Sequence, residues 1–394
     1  MNARHLSLLA AATALLGAAP ADQASAACSF TQTELPIGAS GTPIAHVRIA
    51  ERADGRPVLM VSDDVQNQET LWVYSCANRL CTSGQASQVV TSTNFFERSG
   101  IVVRNDGRPA LVGSYRGGLR YFDCVDADCT SVNWVEIWPN ATGIFSANPM
   151  VLQANGAPAF LYIDSTLGAR PGHLIYHACD DDSCESGSEK TLAVPPDSTS
   201  QIFAPSLAID ANGHPAASYL VTHGASTSAD YLIARCTDSA CDAITHTTLA
   251  VPSSISNPTR TDLVIRGDGR PLALDSQGGH RALLDCNDVP CSSATDRMLP
   301  PEAPGDLLFG LDLTSDGRAA FGSFFPNWMN AWTCADANCA SGTLDQVSTP
   351  ATVLVEADHL RAADGSQFLA WIPWGSTLNF ATCLADPIFA DGFD

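Results

Sequence analysis

Short stretches in which apolar residues occupy every second position recur along the chain. Leu207 and Ile209 form one such pair, and Leu263 and Ile265 form another. A period of two is typical of a β-strand with one buried face. Each of these stretches is followed by Asn-Gly or Asp-Gly, which favours a tight hairpin turn because glycine adopts positive φ without steric cost. The pattern therefore predicts an all-β chain built from short hairpins.

Two sequence signals repeat in phase. The turn glycine recurs seven times, at Gly55, Gly107, Gly156, Gly213, Gly269, Gly317 and Gly365. A Cys-x4-Cys motif follows each of the first six turns, at Cys76/Cys81, Cys124/Cys129, Cys179/Cys184, Cys236/Cys241, Cys286/Cys291 and Cys334/Cys339. Each period has room for four strands, two around the turn and two around the cysteines. Four strands in about 50 residues is the size of a β-propeller blade.

The two ends of the chain share the seventh cysteine motif. Cys383 stands alone after the seventh turn, whereas Cys28 is followed by residues 31–35, which are similar to the strand after the second cysteine of the other repeats. We therefore expect the N-terminal strand to complete the last blade, so that no open sheet edge separates the first and last blades. The predicted fold is an all-β, seven-bladed propeller with four antiparallel strands per blade.

The 14 cysteines pair without remainder. Six bridges would be local, within the Cys-x4-Cys motifs, and a seventh would join Cys28 to Cys383. Zinc binding is the competing interpretation, but none of the six motifs has the further His or Cys residues that complete a usual zinc site. We expect seven disulfides, no metal and no cofactor, which is typical of an oxidising compartment.

The N-terminal segment predicts export. Residues 6–18 are an apolar run that follows Arg4 and precedes Ala24, Ser25 and Ala26, a cleavage site of the A-x-A type. We expect residues 1–26 to be a signal peptide, residues 27–385 the propeller, and residues 386–394 a short acidic-aromatic tail. No apolar run is long enough to span a membrane, so the predicted location is secreted or periplasmic. A lipoprotein cleavage site before Cys28 is the alternative.

The charge of the chain limits its partners. Its 394 residues include 20 basic and 42 acidic side chains, a formal net charge of −22, and Lys190 is the only lysine. Nucleic acids and anionic membrane surfaces require a basic face, so both are excluded as main partners. Hydrophobic residues make up 45% of the chain, which excludes a disordered protein.

One family resemblance rests on the turn and its following strands. Residues 212–219, followed by residues 231–236, resemble the D-G-x-P-x-I-S-Y repeats of secreted bacterial β-propeller proteins, many of which carry a paired-cysteine turn. The resemblance covers nearly the whole chain after residue 27. It implies the propeller fold and an exported protein, but it implies no single activity.

The repeats also predict which face binds a ligand. Successive turns of an antiparallel sheet alternate between its two ends, so the uniform Asp-Gly and cysteine turns share one face. The loops between second and third strands and the connections between blades share the opposite face, and they differ in every repeat. Binding residues concentrate in varied loops on a rigid scaffold. The candidate binding residues on this varied face are Trp328, Trp374, Arg281, Phe325, Arg116, Arg170 and His223.

The motifs of common enzymes are missing from the sequence. It contains no G-x-S-x-G, H-E-x-x-H or P-loop pattern, so we predict no catalytic residue. We expect a monomeric exported protein that binds a glycan, a peptide or a surface protein without catalysis. The alternative is a carbohydrate-active hydrolase or lyase of the sialidase-like propeller type. Such an enzyme would place two carboxylates about 5–10 Å apart beside an arginine cluster at the central mouth.

Overall fold

The computed structural model describes residues 29–37, 44–65, 68–92, 99–115, 118–138, 149–164, 172–223, 229–249, 261–276, 280–301, 303, 305, 307–325, 328–348, 354–373 and 378–385. Within these ranges the chain forms 28 strands in seven four-stranded antiparallel sheets. This confirms the predicted seven-bladed propeller. The same residues include no helix long and apolar enough to cross a membrane.

Each of the first six blades uses four consecutive strands. Blade 1 contains β2 (Ile44–Glu51), β3 (Pro57–Val65), β4 (Gln68–Cys76) and β5 (Gly84–Ser92). Blade 2 contains β6 (Gly100–Val103), β7 (Pro109–Tyr115), β8 (Gly118–Cys124) and β9 (Val132–Trp138). Blade 3 contains β10 (Met150–Leu152), β11 (Pro158–Asp164), β12 (His173–Cys179) and β13 (Gly187–Ala193). Blade 4 contains β14 (Gln201–Ile209), β15 (Pro215–Thr222), β16 (Ala229–Cys236) and β17 (Ile244–Leu249).

The last three blades complete the ring. Blade 5 contains β18 (Asp262–Ile265), β19 (Pro271–Asp275), β20 (Ala282–Cys286) and β21 (Ala294–Met298). Blade 6 contains β22 (Leu307–Leu313), β23 (Ala319–Phe325), β24 (Trp328–Cys334) and β25 (Gly342–Ser348). Blade 7 contains β26 (Leu354–Arg361), β27 (Gln367–Pro373), β28 (Leu378–Cys383) and β1 (Thr31–Leu35). The first strand of each blade contacts the first strands of its neighbours, so these strands are innermost.

The N-terminal strand closes the ring, as predicted. β1 pairs antiparallel with β28, from Thr31 beside Thr382 to Leu35 beside Leu378. Cys383, the residue after Thr382, is in a disulfide. Its expected partner Cys28 lies outside the described residues, so the pairing of these two cysteines stays a prediction.

The seven hairpin turns share one geometry. Their glycines have φ between +79° and +91°, the left-handed region that favours glycine. Each glycine N–H donates to the carbonyl three residues earlier, as Gly107 does to Arg104 at 2.9 Å. In the Asp-Gly-Arg turns the aspartate also accepts from the arginine, and Arg108 Nε lies 2.6 Å from Asp106 Oδ2. These turns are fixed by their own residues and are therefore alike in every blade.

Six disulfides close the turns between third and fourth strands, which confirms the predicted local bridges. They join Cys76–Cys81, Cys124–Cys129, Cys179–Cys184, Cys236–Cys241, Cys286–Cys291 and Cys334–Cys339. The second residue of each turn also holds it, since Asp126 Oδ1 accepts the backbone N–H of Asp128 at 2.9 Å and of Thr130 at 3.1 Å. The cysteine turns thus form a uniform surface, the cysteine face, together with the Asp-Gly turns.

Two kinds of contact join neighbouring blades. Seven apolar clusters fill the seams within the described residues, one cluster for each pair of neighbours. At the cysteine face, buried arginines cross the seams. Arg104 Nη2 lies 2.6 Å from Asp123 in its own blade, and its Nη1 donates to the Asp182 carbonyl of blade 3 at 3.1 Å. Arg266 donates in the same way to the Gly317 carbonyl of blade 6 at 2.9 Å.

The Asp-Gly-Arg turns predict a loss of stability in acid. Burial opposes ionisation of Asp268, but hydrogen bonds from Arg270 outweigh it and hold the pKa of this carboxyl below its usual value. A carboxylate with a lower pKa in the folded chain stabilises the fold above about pH 4–5, and that contribution disappears as pH falls through the folded pKa. Asp268→Asn should cost about 0.2–1 kcal/mol at neutral pH, the range for exposed ion pairs. Urea unfolding should show this difference shrink in acid, and a pH-independent difference would contradict the assignment.

Closure of the ring predicts unequal effects of the bridges. Cys28→Ser with Cys383→Ser should lower the Tm more than Cys236→Ser with Cys241→Ser, because the terminal bridge closes the longest loop. Thermal unfolding of the two double variants measures the difference. Non-reducing peptide mapping is the accompanying control, and a bridge from Cys28 to any cysteine other than Cys383 would refute the pairing.

Candidate functional site

A cavity of about 320 Å³ lies where the innermost strands begin, which is the end of the ring opposite the cysteine face. All seven blades contribute to its wall. Most of the lining is apolar or neutral, including Ile101, Met150 and Phe309. Four lining residues have charged or titratable side chains: His46, Arg48, Asp262 and Glu356. The cavity therefore lies at the centre of the predicted varied face.

Two β-bulges bring charged side chains together in the cavity wall. The register of β2 against β3 shifts between Ile44 and His46, and that of β26 against β27 shifts between Leu354 and Glu356. A bulge re-aims the side chains of its strand. His46 Nδ1 lies 2.5 Å from Glu356 Oε2, and Arg48 Nη1 forms an ion pair with the other carboxylate oxygen, Oε1. One carboxylate of blade 7 thus holds two side chains of blade 1.

The charge state of Glu356 follows from its partners. Burial raises the pKa of this carboxyl, but the charges of Arg48 and His46 and their hydrogen bonds outweigh burial and hold the pKa far below its usual range. Glu356 is therefore ionised throughout the physiological range. Because it is ionised and both oxygens are engaged, it is unsuited to act as a general acid. Its role in this geometry is to orient His46 and Arg48.

Other polar side chains near the axis join the blades. Asp358 Oδ2 accepts the Ile49 N–H across the closing seam at 2.9 Å, and Asp262 Oδ2 accepts the Gly310 N–H at 3.1 Å. Ser206 Oγ accepts the Leu263 N–H at 3.2 Å. These bonds fix neighbouring inner strands against each other. The cavity wall is consequently held by the ring itself.

Two predicted binding residues lie side by side at the end of blade 6. Phe325 and Trp328 are paired across the β23–β24 hairpin, and they are 46% and 39% exposed, respectively. They form an exposed aromatic pair on the varied face. Part of the Trp328 residue is accessible to solvent on this face, and its contact with a ligand stays a prediction.

The other predicted binding residues have different surroundings. His223 is exposed at the end of blade 4, with Nε2 2.9 Å from Asp230 Oδ2. Arg281 donates from Nη1 to the carbonyls of Ala303 and Gly305, at 3.1 and 3.2 Å, so it fastens the segment before blade 6. Arg116, Arg170 and Trp374 lie outside the described residues. Of the four predicted binding residues that the structure describes, only Phe325 and Trp328 lie together.

His280, also near the varied face, has carboxylate partners at both ring nitrogens. His280 Nδ1 lies 2.7 Å from Asp275 Oδ2, and its Nε2 lies 3.0 Å from Asp296 Oδ2. Asp275 is fully buried. With both ring nitrogens bonded to carboxylates, this histidine joins strands of blade 5 rather than offering a free nitrogen.

One cluster in the described part of the chain has the atom types of a metal site. His177 Nε2 and the sulfurs of Cys179 and Cys184 lie within 4.8 Å of one another. The two sulfurs are bonded to each other. A metal binds cysteine as the thiolate. While Cys179 and Cys184 are joined in a disulfide, this cluster therefore does not fit a metal.

No protein-family model and no curated protein sequence matches this chain. Solved structures of very different sequence share its fold. An ulvan lyase, a polysaccharide lyase bound to -[GlcA(1-4)Rha3S]-, is 10% identical with a TM-score of 0.56, over 88% of this chain and 94% of that chain. A virginiamycin B lyase from Staphylococcus aureus with quinupristin is 11% identical with a TM-score of 0.53, over 90% of this chain and all of that chain.

A third similar structure is a glycoside-binding enzyme. The α-L-arabinanase of Penicillium chrysogenum, complexed with arabinobiose, is 10% identical with a TM-score of 0.53, over 90% of this chain and 96% of that chain. At this level of identity the likeness establishes the propeller fold alone.

The ion-paired group in the cavity wall predicts a specific stability loss. Glu356→Gln should destabilise the protein by about 3 kcal/mol, because it leaves the largely buried Arg48 without its counter-charge. Urea unfolding at neutral pH measures the loss. The double variant Glu356→Gln with Arg48→Met is the control and should recover part of it. A loss below about 1 kcal/mol would instead indicate an ordinary exposed ion pair.

Proposed function

We propose that this protein is an exported propeller that binds a glycan, a peptide or a surface protein through its varied face, with the axial cavity as the deepest part of the site. The observation that carries this proposal is the cavity of about 320 Å³ lined by all seven blades. Its walls are inner strands locked by seam contacts, so the cavity exists before a ligand binds. A preformed site avoids the entropic cost of ordering during binding.

The chemistry of the lining suits a ligand with an uncharged body and a few polar groups. Apolar side chains cover most of the wall, while His46 and Arg48 form one polar corner. Such walls bury the body of a ligand, and the few polar groups set its orientation. Phe325 and Trp328 add exposed aromatic surface on the same face, which suits stacking against sugar rings or apolar side chains.

The similar structures support a glycan as the first ligand class to test. One is described with arabinobiose and another with -[GlcA(1-4)Rha3S]-. In both structures a protein of this fold is bound to a carbohydrate. They say nothing about which residues of this chain take part. The argument from the similar structures is therefore an analogy of fold.

A lyase is the second candidate, and one observation favours it. Glu356 Oε2 lies 2.5 Å from His46 Nδ1, and the neutral tautomer that keeps its proton on Nδ1 for this bond has Nε2 as its proton acceptor. A base of this kind could take a proton beside a uronate carboxyl or an ester. A two-carboxylate hydrolase receives less support, because Glu356 is already ion-paired through both oxygens.

A glycan-array screen with matched variants tests the binding function. Trp328→Ala should weaken the best binder by at least about 2 kcal/mol, roughly 30-fold, as expected of an aromatic hot spot, with an unchanged Tm because the side chain is exposed. Trp134→Ala is the control, since Trp134 is 53% exposed on the outermost strand of blade 2. Equal losses in both variants, or a loss in neither, would contradict the placement of the site.

A turnover assay on the polysaccharides that bind separates the two candidates. A binding protein leaves them intact, whereas a lyase releases an unsaturated product that absorbs ultraviolet light. If product forms, His46→Gln should abolish its formation while Trp134→Ala leaves it unchanged. Turnover that persists in His46→Gln would reject His46 as the base.

A further inference from the structure

One of the six described bridges has a histidine against its sulfur. His177 lies two residues before Cys179, and its Nε2 is 3.6 Å from Cys184 Sγ. Its Nδ1 is 3.3 Å from Glu189 Oε1 on the neighbouring strand β13. The imidazole is buried and stacks on Phe160, with ring centroids 4.8 Å apart. A carboxylate, an imidazole and a sulfur are thus aligned in blade 3.

The equivalent position of the other blades carries no titratable group of this kind. Its occupants are Tyr74, Phe122, Ala234, Leu284, Trp332 and Ala381. In blade 6, Trp332 Nε1 lies 3.4 Å from Cys339 Sγ. Indole N–H is a donor only and does not give up its proton near neutral pH. Burial raises the pKa of the Tyr74 hydroxyl in blade 1, which makes it a weaker acid than free tyrosine. Among these equivalent positions, blade 3 alone therefore carries an imidazole that could serve a departing sulfur.

We propose that the Cys179–Cys184 bridge is a thiol–disulfide exchange site, reduced by dithiols more readily than the other described bridges because His177, positioned by Glu189, stabilises Cys184 as the leaving thiolate. In the first step a dithiol thiolate attacks Cys179 Sγ, and the S–S bond breaks. The bonding electron pair goes to Cys184 Sγ, which the imidazolium N–H of His177 stabilises or protonates. The second thiol of the reagent then displaces Cys179, so the dithiol becomes a disulfide and the bridge becomes two thiols.

Glu189 places a negative charge beside His177. The hydrogen bond from His177 lowers the pKa of Glu189 and, with a second bond from Tyr162 at 2.8 Å, outweighs the effect of burial. Glu189 is thus a carboxylate in hydrogen-bond contact with Nδ1 of the imidazole. A cationic neighbour lowers the pKa of a cysteine thiol, and a leaving thiol of lower pKa departs faster.

Access of a reagent to the sulfurs is restricted in all six turns. Both sulfurs of each bridge are buried, so a turn must open before a reagent can attack. In blade 3 the opening turn also carries the exposed residues Asp180 and Asp181, which repel an attacking thiolate. Faster reduction of this bridge would therefore occur despite its surface charge. Blade 2 offers the best reference, because Asp126 and Asp128 make its turn acidic as well.

Timed reduction of the whole protein tests the proposal. The folded protein is exposed to dithiothreitol at neutral pH, quenched by alkylation, and the thiols of each bridge are quantified by peptide mass spectrometry. Cys179–Cys184 should be reduced at least about 10-fold faster than Cys124–Cys129, since a neighbouring cation lowers a thiol pKa by several units. Equal rates for the two bridges would overturn the proposal.

Variants assign the effect to His177. His177→Phe copies the occupant of blade 2 and should bring the two rates within about 2-fold of each other by removing the proton donor. His177→Gln tests the same point where phenylalanine perturbs the fold, and the ratio of two bridges within one molecule cancels global unfolding. Trp332→Phe is the matched control and should leave the blade 6 to blade 2 ratio unchanged. If Cys179–Cys184 is still reduced about 10-fold faster than Cys124–Cys129 in both His177 variants, the role of the imidazole is refuted.

Discussion

Pairing of β1 with β28 is the interaction on which the rest of the structure depends. It makes the first and last blades neighbours and places His46 beside Glu356, although 310 residues separate them. The same seam carries the bond from the Ile49 N–H to Asp358 and the ion pair of Arg79 with Asp364. Without this strand, blade 7 would expose an unpaired edge and the cavity would lose its charged corner.

The seams use different chemistry in different parts of the ring. Near the axis, carboxylates such as Asp358 and Asp262 accept backbone N–H groups of the next blade. Apolar clusters fill the middle of each seam. At the cysteine face, Arg104 and Arg266 give their buried guanidinium groups to carbonyls across the seam. Directional bonds at both ends fix the relative position of blades that apolar contact alone would hold less specifically.

The sequence could predict most of this fold, because the glycine and cysteine signals recur in phase and each is tied to a local geometry. It could have predicted more of the site. His46 and Glu356 both lie nine residues before a turn glycine, Gly55 and Gly365, so they occupy the same position in blades that ring closure makes adjacent. Aligning the repeats in the closed ring would have paired them.

The bulges that aim these side chains were not predictable in the same way. Their formation depends on how each inner strand packs against its neighbours, and no residue type marks them. The sequence pattern also did not reveal the carbonyl partners of Arg281, because Ala303 and Gly305 belong to a connection without a repeat signature. A side chain in a varied loop can form its hydrogen bonds within the protein. Only the tertiary contacts show whether it does so or faces a ligand site.

The distribution of positive charge constrains how the varied face meets a ligand. Every Arg and Lys of the described residues has a carboxylate, carbonyl or hydroxyl partner within the protein. The remaining basic residues of the propeller, Arg98, Arg116, Arg170 and Arg260, lie outside the described residues. Glu356 already neutralises Arg48 in the cavity wall. The described part of the cavity wall therefore offers an anionic group no uncompensated cation, and it suits the uncharged body of a ligand.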